Sequence, residues 1–272
     1  MTEDVAGTVM PGYCDQHGAN MTRPAFYSLS DNRSMLVGYA SAAPGDEPNE
    51  DCFGVMTPDK FPEASERGSA LAVADGGSAA GRGRIAAELT VRTLLHDFYS
   101  TPTHWSIERA IDCVLRSVND WLYVQNNRDP DLDGVVTTLS MLLFRGSEYR
   151  IAHVGDSRIY RRRNSMVERL TVDHTWPRRD MRHVLRRAVG LDSHLVIDMA
   201  TGETEPGDVF LIATDGVWEV LGDSVIDRLL VSDKSPDAIA RELVDKSLRN
   251  QRSYMGRNDA TALVARIDDI RS

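Results

Sequence analysis

At 272 residues, the chain suits one large domain and is long enough to bury a substantial core. Its formal net charge of -10 argues against a nucleic-acid footprint, which would need a basic face, and no apolar run approaches the roughly 20 residues of a membrane-spanning helix. Residues 1–32 lack the order of a secretory signal, and the three cysteines (Cys14, Cys52 and Cys113) form no CxxC pair, so neither disulfides nor a zinc site is expected and a reducing cytoplasm is the expected location.

Residues 1–34 carry Gly, Pro, Asn and Asp without sustained periodicity and read as an N-terminal extension. Residues 35–272 read as one domain, because no stretch within them resembles a linker. Strands are expected over residues 35–41 and 52–56. The run Ala70-Leu-Ala-Val-Ala74 is apolar throughout, as a strand buried on both faces would be, and it stops at Asp75-Gly-Gly77. The period then becomes helical. Ile85, Leu89, Leu94, Leu95 and Phe98 suit one helix. Ile107, Ala110, Ile111, Val114, Leu115, Val118, Trp121 and Leu122 mark a second at i, i+3, i+4, i+7 spacing.

Strands follow over residues 137–144, 149–154 and 158–162, then over 209–213, where the apolar run stops at Thr214-Asp-Gly216. Ser235 caps a helix with Pro236 in its first position, and Ile239, Ala240, Leu243, Val244 and Leu248 form its apolar stripe. A last strand covers residues 260–267. Strands at both ends of the domain, with helices between them, give a mixed α/β composition. Trp105, Trp121 and Trp218 fall on apolar faces and read as core residues.

Asp75, Asp156, Asp215 and Asp259 each sit at the tip of an apolar run, and Glu50 and Asp51 adjoin an early one. Any single Asp-Gly is more simply a turn. Here, however, Asp75-Gly76 and Asp215-Gly216 lead into helical patterns rather than return strands. If these ends converge, several carboxylates share one small volume, and their repulsion calls for cations. All-oxygen ligands favour magnesium or manganese over zinc. Two such ions can hold a reactive water and clamp phosphoryl oxygens, so no serine, cysteine or histidine nucleophile is needed.

Asn49-Glu-Asp51, Ala72-Val-Ala-Asp-Gly-Gly77, Gly134-Val-Val-Thr-Thr138, His153-Val-Gly-Asp-Ser-Arg158 with Leu170-Thr-Val-Asp-His174, the segment from Gly207 to Glu219, and Asn258-Asp-Ala-Thr261 together resemble the ordered motifs of type 2C (PPM) metal-dependent serine/threonine phosphatases. Residues 98–107 further resemble bacterial forms fused to a protein kinase domain. The resemblance implies an α+β fold: a two-sheet antiparallel β-sandwich flanked by helices on both faces, in α-β-β-α layers. It implies two magnesium or manganese ions with a place for a third. Asp51, Asp75, the Gly76 carbonyl and Asp215 would be ligands, with Asp259 or Asn258 completing the set, Asp156 serving the third ion and Glu50 acting through water. Asp51, Asp75 and Asp215 would thus be catalytic through a metal-held water. The implied partners are a phosphorylated protein substrate and a cognate kinase, with no nucleic acid and no membrane, for a monomer.

Four departures stand out. Asp46-Glu47 occupies the neighbourhood where an arginine often grips the substrate phosphate. The glycine loop is shortened to Asp75-Gly-Gly-Ser78, with no histidine beside it. The last motif reads Asn258-Asp259 where Asp-Asn is usual, and residues 1–34 have no counterpart. A lost phosphate contact costs about 2 to 4 kcal/mol of transition-state stabilisation, which describes a slow enzyme rather than an inactive one. Arg178, Arg179 and Arg182 lie in the region of the variable flap and are candidates for the missing grip, while Arg161-Arg-Arg163 reads as a solvated surface. His153 and His174 are given no role. The alternatives are a pseudophosphatase that binds or regulates phosphoproteins and, less favoured, a hydrolase of small phosphate esters.

Overall fold

Two antiparallel sheets pack face to face in the computed structural model, which describes residues 9–10, 25–29, 33–45, 48–57, 66–77, 82–128, 134–178, 181, 183–251 and 258–269. The first sheet runs β1 (Val9–Met10), β4 (Asp51–Met56), β5 (Ser69–Gly77), β7 (Leu139–Arg145), β8 (Glu148–Val154), β11 (Asp198–Glu203), and β6 (Val136–Thr137) pairs with the end of β5. The second runs β10 (Met166–Arg169), β9 (Arg158–Arg163), β12 (Val209–Ala213), β13 (Ala260–Asp269), β3 (Arg33–Ala42), β2 (Ala25–Leu29).

Helices α1 (Gly83–Ser100) and α2 (Ile107–Arg128) cover the outer face of the first sheet. Helices α3 (Asp215–Leu221), α4 (Asp223–Leu230) and α5 (Pro236–Gln251) cover that of the second. This is the α+β sandwich in α-β-β-α layers that the motifs imply.

The two-residue period of a strand explains the unbroken apolar runs. Along β5, Ala70, Ala72 and Ala74 face α1 and α2, while Leu71 and Val73 point between the sheets. Along β12, Val209, Leu211 and Ala213 meet α3–α5, while Phe210 and Ile212 enter the sandwich. Phe210 is fully buried there, edge-on to Phe144 at 5.1 Å and to Tyr149 at 5.2 Å between ring centroids.

Three readings of the sequence need correction. Residues 1–34 include two strands: β1 adds to the edge beside β4, and β2 adds to the edge beside β3. Edge strands this short have no helix to impose a pattern, which is why periodicity did not reveal them. Ile85 is 43% exposed, because the buried face of α1 is made of small residues, Gly83, Ala86, Ala87 and Thr90, that let the helix lie close to the sheet. Trp121 is 46% exposed, as is much of Val124, so the apolar cover ends before α2 does. Trp105 and Trp218 do pack against the core.

Truncating Phe210 to alanine should cost about 3–5 kcal/mol of folding free energy. Met166→Ala, at a 79% exposed position, should be close to neutral in the same denaturant titration. Comparable losses in the two variants would refute this account of the core.

Candidate metal centre

Strand register creates the site. Asp51 opens β4 and Asp75 lies near the end of β5, and the two are direct cross-strand partners, so their side chains project from the same face at close range. Three more aspartates reach the same rim from other elements. Asp156 lies in the turn between β8 and β9, Asp215 is the first residue of α3, and Asp259 immediately precedes β13. Asp51 and Asp156 are buried, and Asp75, Asp215 and Asp259 are half-buried.

A network of donors holds these groups. Thr214 Oγ1 donates to Asp51 Oδ2 at 3.0 Å, and Thr261 also bonds to the Asp51 carboxyl. The Glu50 main-chain N–H donates to Asp259 Oδ2 at 2.6 Å, and the Glu50 carboxylate accepts from the Gly83 N–H at the start of α1 at 2.7 Å. Asn258 Nδ2 donates to Asp215 Oδ1 at 2.6 Å. The Asp75 N–H donates to Thr138 Oγ1, and Thr137 Oγ1 donates to the Asp75 carbonyl, both at 2.9 Å. Trp218 Nε1 donates to the Asp156 carbonyl at 3.0 Å. Gly76 sits where β5 meets α1. A Cβ there would lie 2.2 Å from the Gly83 carbonyl oxygen, so no larger residue fits.

The electrostatics follow from this crowding. Burial, then repulsion from Asp259 and Asp215, pushes the Asp51 carboxyl well above the usual range. Burial, then Asp51, Asp215 and Asp156, does the same to Asp75. Asp156 is raised to about 7 by burial and then by Asp215 and Asp173. Burial, partly offset by its hydrogen bond to the Glu50 N–H, raises Asp259 to about 6. Asp75 and Asp215 face each other closely enough that each alters the other's hold on a proton. Among the described residues, no three His, Cys, Asp or Glu side chains stand in the spacing of a complete ligand set. The donor chemistry nevertheless fits a hard divalent cation: five carboxyls on one rim, no sulfur, and protons held where positive charge is wanted.

The structure therefore brings together Glu50, Asp51, Asp75, Gly76, Asp156, Asp215, Asn258 and Asp259. Of the flap arginines, Arg178 is exposed, whereas Arg179 and Arg182, like Asp46, Glu47 and Ser78, lie outside the described residues. Several contributors were missed. Thr138, Thr214 and Thr261 stood within the quoted motifs, and their hydroxyls beside the aspartates were the available signal. His174 is buried: its Nδ1 accepts from the Gly155 N–H at 3.1 Å, and its Nε2 donates to Asp198 Oδ2 at 3.0 Å. It thereby fixes the turn that carries Asp156.

Residues 40–254 match the family model for protein phosphatase 2C. The chain belongs to that family, which is one of protein serine/threonine phosphatases. The serine/threonine phosphatase stp of Listeria monocytogenes is 26% identical over 238 residues, covering 81% of this chain and 90% of the relative. The serine/threonine protein phosphatase PstP of Mycobacterium tuberculosis is 27% identical over 217 residues, covering 73% of this chain and 40% of that longer protein. The crystal structure of the PstP catalytic domain in complex with two manganese ions superposes with a TM-score of 0.71 at 25% identity, over 87% of this chain and all of that one. PppA, a regulatory component of the type VI secretion system in Pseudomonas aeruginosa, gives 0.70 at 28% identity, over 89% of this chain and all of that one.

These carboxyls hold their protons more tightly in the folded chain than in the unfolded one. Between roughly pH 4, the ordinary carboxyl range, and the raised values of about 6 and 7, the folded state binds more protons. Stability then falls as pH rises. In chelator, the unfolding midpoint should drop between about pH 5 and pH 8. Asp156→Asn should flatten the slope and raise the midpoint at about pH 7.5 by about 2–4 °C, equivalent to about 1 kcal/mol in a domain this size. Parallel curves for the two proteins would contradict the assignment.

Proposed function

We propose that this domain hydrolyses phosphoserine and phosphothreonine on proteins, with two magnesium or manganese ions held by the rim carboxylates. The observation that carries the reading is the register of Asp51 opposite Asp75 with Asp215 beside them. The two manganese ions in the PstP catalytic domain support the same number here. When bound, such a pair supplies a nucleophilic water at neutral pH and neutralises the phosphoryl oxygens.

The chain's own part is positioning. Asp51, Asp75, Asp215 and the Gly76 carbonyl would hold the pair. We assign the remaining position to Asp259, which lies close enough to repel Asp51 and is held by the Glu50 N–H. Asn258 instead turns its amide nitrogen toward Asp215. Asp156, close to Asp215, suits a third ion. Glu50, fixed by the Gly83 N–H, would orient water. A monomer in the cytoplasm, acting on phosphoproteins and serving a cognate kinase, belongs to this reading. A pseudophosphatase is favoured by no observation, because the crowded carboxyls are retained at a cost in stability that a pure binding module has no reason to bear.

Asp75→Asn should lower manganese-dependent turnover of an aryl phosphate at least about 100-fold, since several kcal/mol of charge stabilisation goes with the ion it holds. Turnover that persists in chelator or in the variant would sink the proposal.

The phosphate grip falls to the flap. Arg178 is exposed on a segment whose ends are tied down, by the His174 N–H to the Gly155 carbonyl at 2.7 Å and by Arg187 to Asp198 at 2.9 Å. Arg178→Ala should raise KM about tenfold, about 1.4 kcal/mol, for a phosphopeptide and for the aryl phosphate alike, since both carry the phosphoryl group. An unchanged KM for both substrates would remove Arg178 from phosphate binding.

A further inference from the structure

The end of the first sheet opposite the aspartates carries a cavity of about 70 Å³ lined by Arg67, Arg145 and the residues that open α2. Asp75 lies eight positions beyond Arg67 along β5 and its approach, roughly 25 Å at the rise of a strand. The cavity is far smaller than the roughly 300–1,000 Å³ of a drug-sized ligand site. It has room for a single small ion.

Among the described residues, its charge is not balanced. Arg67 is 4% exposed, stacks on Phe98 with 5.3 Å to the ring centroid, and donates to the carbonyls of Thr101 and Pro102 at 3.2 and 2.5 Å. Neither Arg67 nor Arg145 has a carboxylate partner among the described residues, although the chain carries an excess of acid. Several sheet arginines are paired with carboxylates, Arg158 with Asp173 at 2.7 Å and Arg163 with Asp208 at 2.8 Å, whereas Arg162 is satisfied, among the described residues, by main-chain carbonyls alone. The two guanidinium groups repel each other, which adds to burial in lowering the pKa of Arg67. Gly68 makes the juxtaposition possible: at φ +85° a Cβ there would lie 2.2 Å from the Phe144 carbonyl oxygen and 3.0 Å from the Arg145 side chain.

The remaining wall supplies one more donor. Ser106 caps α2, its hydroxyl accepting from the Arg109 N–H at 3.2 Å and bonding to the Glu108 carboxylate of the same turn. The Ile107 N–H, on a residue that lines the cavity, has no acceptor among the described residues. The start of a helix of 22 residues adds its positive end. One carboxylate, that of the exposed Glu66, also lines the cavity and pairs with neither arginine.

We infer that this cavity binds a phosphate-sized tetrahedral oxyanion through Arg67, Arg145 and the first turn of α2, remote from the aspartate rim. Its chemistry is that of a phosphoryl group, carried either by free inorganic phosphate or by a phosphorylated residue of another protein. The site uses the 98–107 segment that the sequence singled out and that catalysis leaves unexplained.

The test is a residue-resolved titration, because inorganic phosphate can also enter the aspartate site. The full chain, ¹⁵N-labelled, is titrated with inorganic phosphate at constant ionic strength against chloride. The Ser106 and Ile107 amides and the Trp105 indole N–H should shift saturably. Arg145→Ala, at an exposed position outside the catalytic machinery, should weaken that binding at least tenfold with aryl phosphate turnover unchanged. Glu66→Gln should tighten it. A peptide bearing a non-hydrolysable phosphonate analogue of phosphoserine then separates the sources. Competition for the same resonances identifies a protein-borne group, and binding of inorganic phosphate alone identifies the free ion. Shifts that chloride reproduces, or that survive in Arg145→Ala unchanged, would overturn the inference.

Discussion

Asp51 and Asp75 face each other across an antiparallel strand pair, and much of the surrounding structure answers the repulsion this register creates. A buried and a half-buried carboxyl at cross-strand distance cannot both ionise without compensation. The fold supplies part of it locally, through the hydroxyls of Thr214 and Thr261 on Asp51 and the Glu50 N–H on Asp259. What these neutral donors leave unbalanced must come from protons or from cations. The same crowding therefore sets both the stability of the metal-free chain and its capacity to hold ions.

A sandwich is suited to bearing that load. Each aspartate sits where a strand has just begun or ended, and the strands behind them are buried on both faces. β5 lies between α1 and the sandwich core, and β12 between α3–α5 and the same core. With no freedom to slide, the strands hold the rim in fixed register, because a one-residue slip would move leucines and phenylalanines out of their layers. Rigid layers place the charges, and short polar side chains trim their directions.

This division explains what the sequence discloses. The period of α2 and the apolar runs of β5 and β12 are legible, since burial on a helix stripe or on both faces of a strand dictates composition over many residues. The aspartates are legible as a set, through the ordered motifs. The strands at Val9–Met10, Ala25–Leu29 and Asp198–Glu203 are not, because an edge strand exposed on one side places few demands on its residues; β11 is exposed almost throughout. Ile85 and Trp121 mislead for a related reason, since periodicity cannot tell where a helix outruns its cover. The roles of Thr138, Thr214 and His174 depend on contacts between residues distant in the chain, which no local pattern encodes. The Asn258-Asp259 exchange shows its consequence only in the geometry: both side chains reach the rim, one as an amide donor to Asp215 and the other as a carboxylate that accepts from the Glu50 N–H.

His174 shows how the rim and the flap come to act as one body. Its two ring nitrogens are committed, Nδ1 accepting from the Gly155 N–H and Nε2 donating to Asp198, so the imidazole is held in one orientation. Asp198 is shared with Arg187 at the far end of the flap, and the His174 carbonyl accepts from the Arg186 N–H at 2.7 Å. A displacement of Arg186 or Arg187 must therefore pull on the histidine, and through it on the turn that carries Asp156. Arg186 and Arg187 are in this way not independent of the carboxylates, because both are bonded to the network that holds the Asp156 turn: Arg186 through the His174 carbonyl and Arg187 through Asp198.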